Sequence, residues 1–505
     1  MTTEPSIHYP DWKAPVDDGA VLIWPEPGQL LADTRENQSR LASAERVLIQ
    51  NTPLPDLRRA MRAFVGHQDD AQPLLGTGHQ TELYHAGVWV KDVLIDQAAR
   101  KINGQAMHFA VDTDHPKHLN IRWPGASYAV TDDPRIATAA WSGQLAPPTP
   151  AHVASIDAAA RRDFASLHFE PPLIEYLESL RRLSLESTNL SSMLTNAQHE
   201  LDWKLGLRHH ALTVSPALLS GPYLAFVHHI MSRAAKFATD YNAALEDYRD
   251  RERIKTRMRP MPDLFIHSQS TETPFWLDNL NDGTRTRPSV FPIDDGWLLE
   301  LVSGEEFVFR TDVDADAAAA SLKQFLVTAN HRLAPRALTL TIFLRLLVVD
   351  QFVHGIGGAR YDQVSDAIIR SHFGLAPPKF SVTTATLFFP GAVDQPRVCL
   401  PCIKRDGHRL QHAVLGERKR ELVAQIASLP RKSQAREAAF IELHRARRSA
   451  IEQSEEIKRW EQSLRDAELQ LQREEVIFDR ELFYAVQSRE RLGMMIDNYR
   501  DAFSG

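Results

Sequence analysis

The sequence predicts an α/β protein: a parallel-sheet core with helical connecting insertions, followed by a C-terminal α-helical coiled-coil arm. Three observations predict it. A strand, a helix and a second strand follow one another within roughly 40 residues, the spacing of a βαβ unit. Helical apolar spacing then runs through the middle of the chain, and a heptad pattern occupies the region after Ser433.

Taken in order, helical segments broken at Pro53 and Pro55 lead to the apolar run Pro73-Leu74-Leu75. That run enters Gly76-Thr77-Gly78-His79-Gln80, which reads as a strand ending near Gly76 in a turn. A helix is expected from Gly87 to Lys101. After Gly104, Ala106–Val111 forms the next strand and ends in Asp112-Thr113-Asp114-His115-Pro116. From Ala151 to Met258 the pattern is helical, with Ile174, Leu177 and Leu180 and then Tyr223, Phe226, Ile230, Phe237 and Tyr241 at helical spacing. Strands return as Leu264–His267, Gly296–Val302 and Glu306–Arg310, with turn signals at Asp282-Gly283 and Ser303-Gly304, so the sheet is expected to resume. His267 and Trp276-Leu277 read as core residues there. Helices over Ala317–Val327 and Arg336–Val353 precede the loop His354-Gly355-Ile356-Gly357-Gly358. A further helix over Ala359–Phe373 is closed by Pro377-Pro378.

The arm begins beyond Pro401. Leu415, Leu422, Ile426 and Leu429 mark a short helix ended by Pro430, and Ser433 is a fitting N-cap for a second. In the second, Leu443, Ala450, Ile457, Leu464 and Leu471 recur every seven residues, with Ala446, Gln453, Trp460 and Ala467 at the alternate seam positions. A continuous helix over 434–475 spans ~63 Å at ~1.5 Å per residue, far more than the first arm helix covers. The uncovered apolar seam predicts a homodimer. The cluster Arg445, Arg447 and Arg448 is balanced by Glu452, Glu455 and Glu456 and reads as a solvated helix face.

Composition narrows the functional classes. The 505 residues predict two to four domains. With 43% apolar and 24% charged residues the balance is that of a globular protein. A net charge of -7 gives no general attraction to nucleic acid or anionic membranes, so a small molecule or a protein is the expected partner. Met1–Pro5 has neither the basic nor the apolar part of a secretory signal, and a cytoplasmic protein is expected. The most apolar stretch, Leu338–Val349, is interrupted by Arg345 and falls short of the ~18–20 residues of a membrane helix. Cys399 and Cys402 read as two reduced cysteines near a loop, the alternatives being a redox pair or half a zinc site.

Three motifs bear chemistry. In the first, Gly78, His79 and Gln80 with His85, Gly87 and Lys91 offer backbone donors at a turn and helix start plus cationic side chains, suited to phosphate or carboxylate. The bland alternative is a tight strand-to-helix connection. In the second, Asp112, Asp114, His115 and His118 follow the next strand; ligands collect beyond the carboxyl ends of parallel strands, so this cluster is expected to share the crevice. Its alternative is a surface loop capped by Asp114. In the third, His354, Gly355, Gly357 and Gly358 with Tyr361 and Asp362 open a helix and free backbone donors for an anion, against plain helix packing. A Walker lysine pattern and a complete Rossmann glycine fingerprint are both missing.

With these landmarks in order, the chain resembles a divergent member of the bacillithiol-biosynthesis cysteine-adding enzyme (BshC) family over most of its length. Gly78-His79-Gln80 through Lys91 resembles that family's Gly-Gln-Gln turn and following helix, with His79 in place of glutamine. Asp114-His115, with Asn120 beyond, resembles its Asp-His segment, here followed by Pro116. Phe352–Tyr361 resembles its glycine-rich turn, with Gly358 where an acidic residue is usual. The resemblance implies a Rossmann-like core, a coiled-coil arm used for dimer formation, and an amide-forming ligation of L-cysteine to glucosaminyl-malate.

The expected layout is a first core segment over 1–150, a helical connecting region over 151–260, a second core segment over 261–402, and the arm with a C-terminal helix over 403–505. The expected activity is a cysteine ligase in which Lys91, His79 and His85 steady anionic charge while Asp114 and His115 position the amine or move its proton. Gln80, His118, Tyr361 and the glycine loop are expected to bind substrate. ATP or ADP is the cofactor considered, with Asp112 orienting His115 or binding a metal that accompanies the nucleotide; no metal site is assigned. The rival reading is a non-catalytic scaffold that binds a nucleotide or partner and dimerises through its arm.

Overall fold

A computed structural model describes residues 9–259, 261–391 and 399–504. The segment Met1–Pro5 lies outside them. Among the described residues are six strands in one sheet: β1 (Val21–Trp24), β2 (Leu74–Gln80), β3 (Gln105–Val111), β4 (His210–Thr213), β5 (Gln351–His354) and β6 (Phe380–Ala385). Their order is β1-β6-β5-β2-β3-β4, parallel throughout except for the antiparallel edge pair β1/β6. The inner strands are covered on both faces, which is why β2 and β3 read as short apolar runs and not as alternating ones.

The βαβ unit is present: α1 (Ala86–Ile102) connects β2 to β3, and Asn103 ends it in the left-handed region at φ 53°. Nearly every residue of α1 is buried, including Lys91, Asp92 and Asp96, so its polar side chains must find partners inside the protein. The strand β2, however, does not end near Gly76. It continues through Gln80, with Gly76 opposite Met107 and Gly78 opposite Phe109. A Cβ on Gly76 would come within 2.5 Å of Val349, and one on Gly78 within 3.1 Å of the Phe109 carbonyl oxygen. Both glycines serve close packing within the sheet, not a turn.

Other expectations are corrected. The region 151–260 does contain helices, among them α2 (Leu190–Lys204), but it also supplies the edge strand β4. The helix expected to reach Val353 is α3 (Ala337–Leu347); the chain then turns to form β5, because Asp350 is pinned by Arg58 and Arg62 and its carboxylate accepts the Leu74 amide. The loop after β5 opens α4 (Ile356–Phe373), which ends at Gly374 with φ 65°. Leu264–His267 is not a strand beyond one isolated bridge. The strands between Thr271 and Phe309 form small antiparallel sheets apart from the main one, so the main sheet resumes only at β5.

Two compact units divide the chain: one comprises residues up to Ile121, Tyr128–Leu387 and Arg480 onward; the other comprises Arg122–Ser127 and Phe388–Asp479. The C-terminal stretch expected to belong to the arm is therefore part of the sheet unit. Its helix α9 (Arg489–Ala502) carries Tyr499, whose hydroxyl lies 2.5 Å from Thr383 on β6.

In the second unit, α5 (Leu400–Ala413) packs on α8 (Glu455–Ile477), and α6 (Gly416–Ser428) on α7 (Gln434–Gln453). The expected single helix over 434–475 is broken at Ser454, whose hydroxyl caps α8 by accepting the Ile457 amide at 3.3 Å. The apolar seam consequently finds partners within the chain. Ile457 and Ala467 are buried, and the Trp460 indole donates to the Ile403 carbonyl at 2.8 Å over Gly407, where a Cβ would collide with the ring. Leu443, Ala446, Ala450, Leu464 and Leu471 are half-buried and Gln453 is exposed, so the chain covers its seam in part. Cys399 and Cys402 are not reduced but joined in a disulfide. Cys399 precedes α5 and Cys402 lies in its first turn, so the helix brings their Cα atoms to 5.3 Å. No described helix is long and apolar enough to cross a membrane.

Candidate functional site

At the carboxyl ends of β2, β5 and β6 lies a cleft of about 570 Å³. Its walls bring together Gly78, His79, His85, Gly87 and Lys91 from the first motif and His354, Gly355, Gly357 and Gly358 from the third. Two segments more than 250 residues apart thus share one site, because β5 pairs directly with β2. In a parallel sheet this edge is also where helices begin, and both α1 and α4 start at the cleft.

The start of α1 is set by His85. Its backbone is extended, and its Nδ1 accepts the Gly87 amide at 3.1 Å as an N-cap. Gly87 has no room for a side chain: a Cβ would come within 2.9 Å of Thr384, the Ala385 carbonyl and Arg480. One turn further, Lys91 is 2% exposed and its ammonium donates to the Gly78 carbonyl at 2.8 Å. Burial lowers the Lys91 pKa to about 8. His79 bonds through Nε2 to Glu82 Oε1 at 2.7 Å. Burial, followed by the charge of Lys91, pushes His79 down to about 4; burial and Arg480 do the same to His85. Both imidazoles are neutral at pH 7 and supply hydrogen bonds, not the cationic charge expected of them.

On the facing side, His354 Nε2 lies 2.9 Å from Asp362 Oδ2, and Arg345 donates to the same carboxylate at 2.6 Å. Burial works to raise the Asp362 pKa, but Arg345 and His354 hold it below the usual carboxylate range. Arg345 also bonds Asp366 at 2.6 Å and the Pro378 carbonyl, while Tyr9 donates to Asp366. Gly358 is required because a Cβ would meet His354 Nδ1 at 2.9 Å, whereas a Cβ on Gly355 or Gly357 would meet nothing within 4 Å. Those two glycines leave the start of α4 uncovered.

The cleft is predominantly cationic. Lys13, Lys91, Arg360 and Arg480 line it against one acidic residue, Glu481, and the partial positive charges of two helix starts add to them. Arg480 donates to Thr384 Oγ1 and to the Ala385 carbonyl, each at 3.2 Å.

Several predicted site residues are not in its lining. Gln80 turns to Asp114, donating to Oδ2 at 2.8 Å. Asp112 is buried and accepts the Ser215 amide at 2.9 Å, a structural cap before β4's following turn. His115 is exposed and its Nδ1 is held by the Ala139 carbonyl at 2.8 Å. His118 is exposed in the left-handed region at φ 45°, and Tyr361 is 39% exposed outside the lining. The second motif is thus held by its own contacts outside the cleft lining, with Asp114 accepting from Gln80 and Asp112 from the Ser215 amide. Glu82, Arg360, Thr384 and Arg480 were missed. Glu82 stands three residues from His79, a legible spacing; Arg480 reaches the cleft only through the return of the chain to the sheet unit.

No family model and no curated protein matches the chain.

The lining suits an anion, and its charges give a testable pH dependence. Sulfate keeps its charge across the neutral range, so its affinity reports on the protein. Binding is expected to be flat from pH 5.5 to 7, since His79 and His85 at about 4 are already neutral. Above the Lys91 value of about 8 it should weaken by up to roughly tenfold per pH unit. Isothermal titration at five pH values checks this, and a decline between pH 5.5 and 7 would transfer the role to a histidine.

Proposed function

We propose that the cleft receives the anionic end of a small substrate and that the chain is a ligase of the cysteine-adding type, joining L-cysteine to an amino-sugar malate such as glucosaminyl-malate. The observation that carries the reading is the convergence of two helix starts with Lys91 and Arg480 at the carboxyl edge of the parallel strands. The sequence resemblance supplies the reaction type, and the anion site is consistent with both a carboxylate and a phosphate.

Amide formation needs a carboxylate whose oxygen can depart and an amine that can lose a proton. Lys91 and the α1 start would hold the oxygens of the carboxylate and stabilise charge as it builds on them. His354, hydrogen-bonded to Asp362, would take the amine proton, and His79 with Glu82 offers a second such pair in the cleft. These pairs replace Asp114 and His115 in that role. ATP or ADP fits the same donors: the α4 start, Arg480 and Lys91 would hold phosphate oxygens, and a bound ATP supplies carboxylate activation. A Rossmann-like core accords with the βαβ unit and the location of the cleft, and a coiled-coil arm accords with the heptad positions of α7 and α8.

Incubation of the chain with L-cysteine and glucosaminyl-malate, with and without ATP, followed by product mass spectrometry, tests the reaction. A product of the summed masses less one water is expected. If neither arm yields it while sulfate still binds, the anion site stands and the ligase reading falls.

A further inference from the structure

Asp92 on α1, Asp202 on α2 and His209, just before β4, form a second polar cluster outside the cleft lining. Each offers one ligand atom, and these atoms lie within 4.8 Å of one another. The three residues are 1%, 3% and 2% exposed. Two carboxylates this close in the interior repel each other and lose their hydration, so they favour either a bound cation or a shared proton.

Donors behind each carboxylate orient the cluster. Trp89 Nε1 and the Tyr484 hydroxyl donate to the same oxygen of Asp202, Oδ1, at 2.8 and 2.9 Å. That leaves Oδ2 toward His209 Nε2 at 3.5 Å, longer than a good hydrogen bond. His108 Nδ1 lies 2.7 Å from Asp92 Oδ1, and the Tyr84 hydroxyl lies 3.0 Å from His108 Nε2. Lys91, whose charge acts on Asp92, donates its hydrogen bond to the Gly78 carbonyl, and Arg100 pairs with Asp96. His209 Nδ1, although buried, has no hydrogen-bond partner. An imidazole and two carboxylates, each carboxylate fixed by donors behind it, match the ligand preferences of zinc and manganese.

We propose that Asp92, Asp202 and His209 hold a divalent transition-metal ion of the zinc or manganese type that ties α1, α2 and β4 together. The two carboxylates balance the double charge of the ion, and the imidazole supplies a nitrogen ligand. The cluster lies outside the lining of the cationic cleft, and its proposed role is independent of the reaction proposed there.

The test uses the full chain without an affinity tag. Elemental analysis after purification free of chelator is expected to find about one zinc or manganese ion per chain. After stripping with EDTA, addition of Zn2+ or Mn2+ alone should raise the melting temperature. Asp202→Asn and His209→Gln should each lose that rise. Asp202→Asn keeps an oxygen for Trp89 and Tyr484 and, being neutral, adds no repulsion toward Asp92, so the stripped variant should melt no lower than the stripped wild type. Substoichiometric metal together with no wild-type shift for either ion would overturn the site and leave a carboxylate pair sharing a proton. A shift that persists in Asp202→Asn would overturn it equally, and if a variant does not fold the wild-type measurement decides.

Discussion

Lys91→Met is expected to weaken inorganic phosphate binding in the cleft roughly a hundredfold at pH 7, the ~2–3 kcal/mol of a charge-assisted hydrogen bond in a desolvated site. Methionine keeps the length and apolar stem of lysine, so packing along α1 is retained. The same substitution should leave the melting temperature unchanged or raise it. The reason is the direction of the Lys91 shift: its pKa falls from 10.5 in the unfolded chain to about 8 in the folded one. Between these values the unfolded state holds more protons, so wild-type stability should gain with pH from about 8 to about 10.5 relative to the variant. Calorimetric titration and melting curves at pH 7, 8, 9 and 10 measure both effects. A large affinity loss accompanied by a collapse in melting temperature would make Lys91 a structural residue instead.

Arg345→Met is expected to destabilise the sheet unit by ~3–5 kcal/mol, the usual consequence of removing one partner from a buried ionic network. Arg345 is 1% exposed and serves Asp362 and Asp366 at 2.6 Å each. Without it two carboxylates remain in the interior, and Asp362 loses the charge that holds it ionised beside His354. Arg345→Lys should recover only part of the loss, since an ammonium lacks the fork that reaches both acids and the Pro378 carbonyl. Urea denaturation at pH 7 quantifies both variants. A loss below ~1 kcal/mol for Arg345→Met would mean that the two acids take up protons at little cost.

What could be read from the sequence was local. The β2–α1–β3 unit was legible because a strand, a helix and a strand in succession each declare themselves by periodicity over a few residues. Gly78, His79, His85, Gly87 and Lys91 were legible as a site for the same reason: they straddle one strand-to-helix connection. The strand β5 was not. Gln351–His354 follows the apolar Leu338–Val349 after the single charge of Asp350, whose buried pairing with Arg58 and Arg62 holds the turn into the strand. The strand β6, with Phe380 and Val382 among serine and threonines, was also missed; Thr383 is tolerated in the interior because its hydroxyl donates to the Leu22 carbonyl at 2.8 Å. In the helical arm two of the heptad positions, Ile457 and Ala467, are buried, and the break at Ser454 follows from one capping serine within an otherwise continuous pattern.

The sequence by itself determined that the chain mixes a parallel sheet with helices, that glycines and histidines cluster around Lys91 at one strand-to-helix connection, and that apolar seam positions run through the C-terminal helices. These properties depend on side-chain period, glycine placement and charge type, which neighbouring residues fix among themselves. Only the tertiary structure decided which distant segments meet. It set His354 and Arg480 beside Lys91, held Asp114 and His115 out of that cleft, and gathered Asp92, Asp202 and His209 into one buried cluster. Strand order and the return of Arg480 to the sheet unit are outcomes of burying the whole apolar surface at once, and no window of sequence contains that sum.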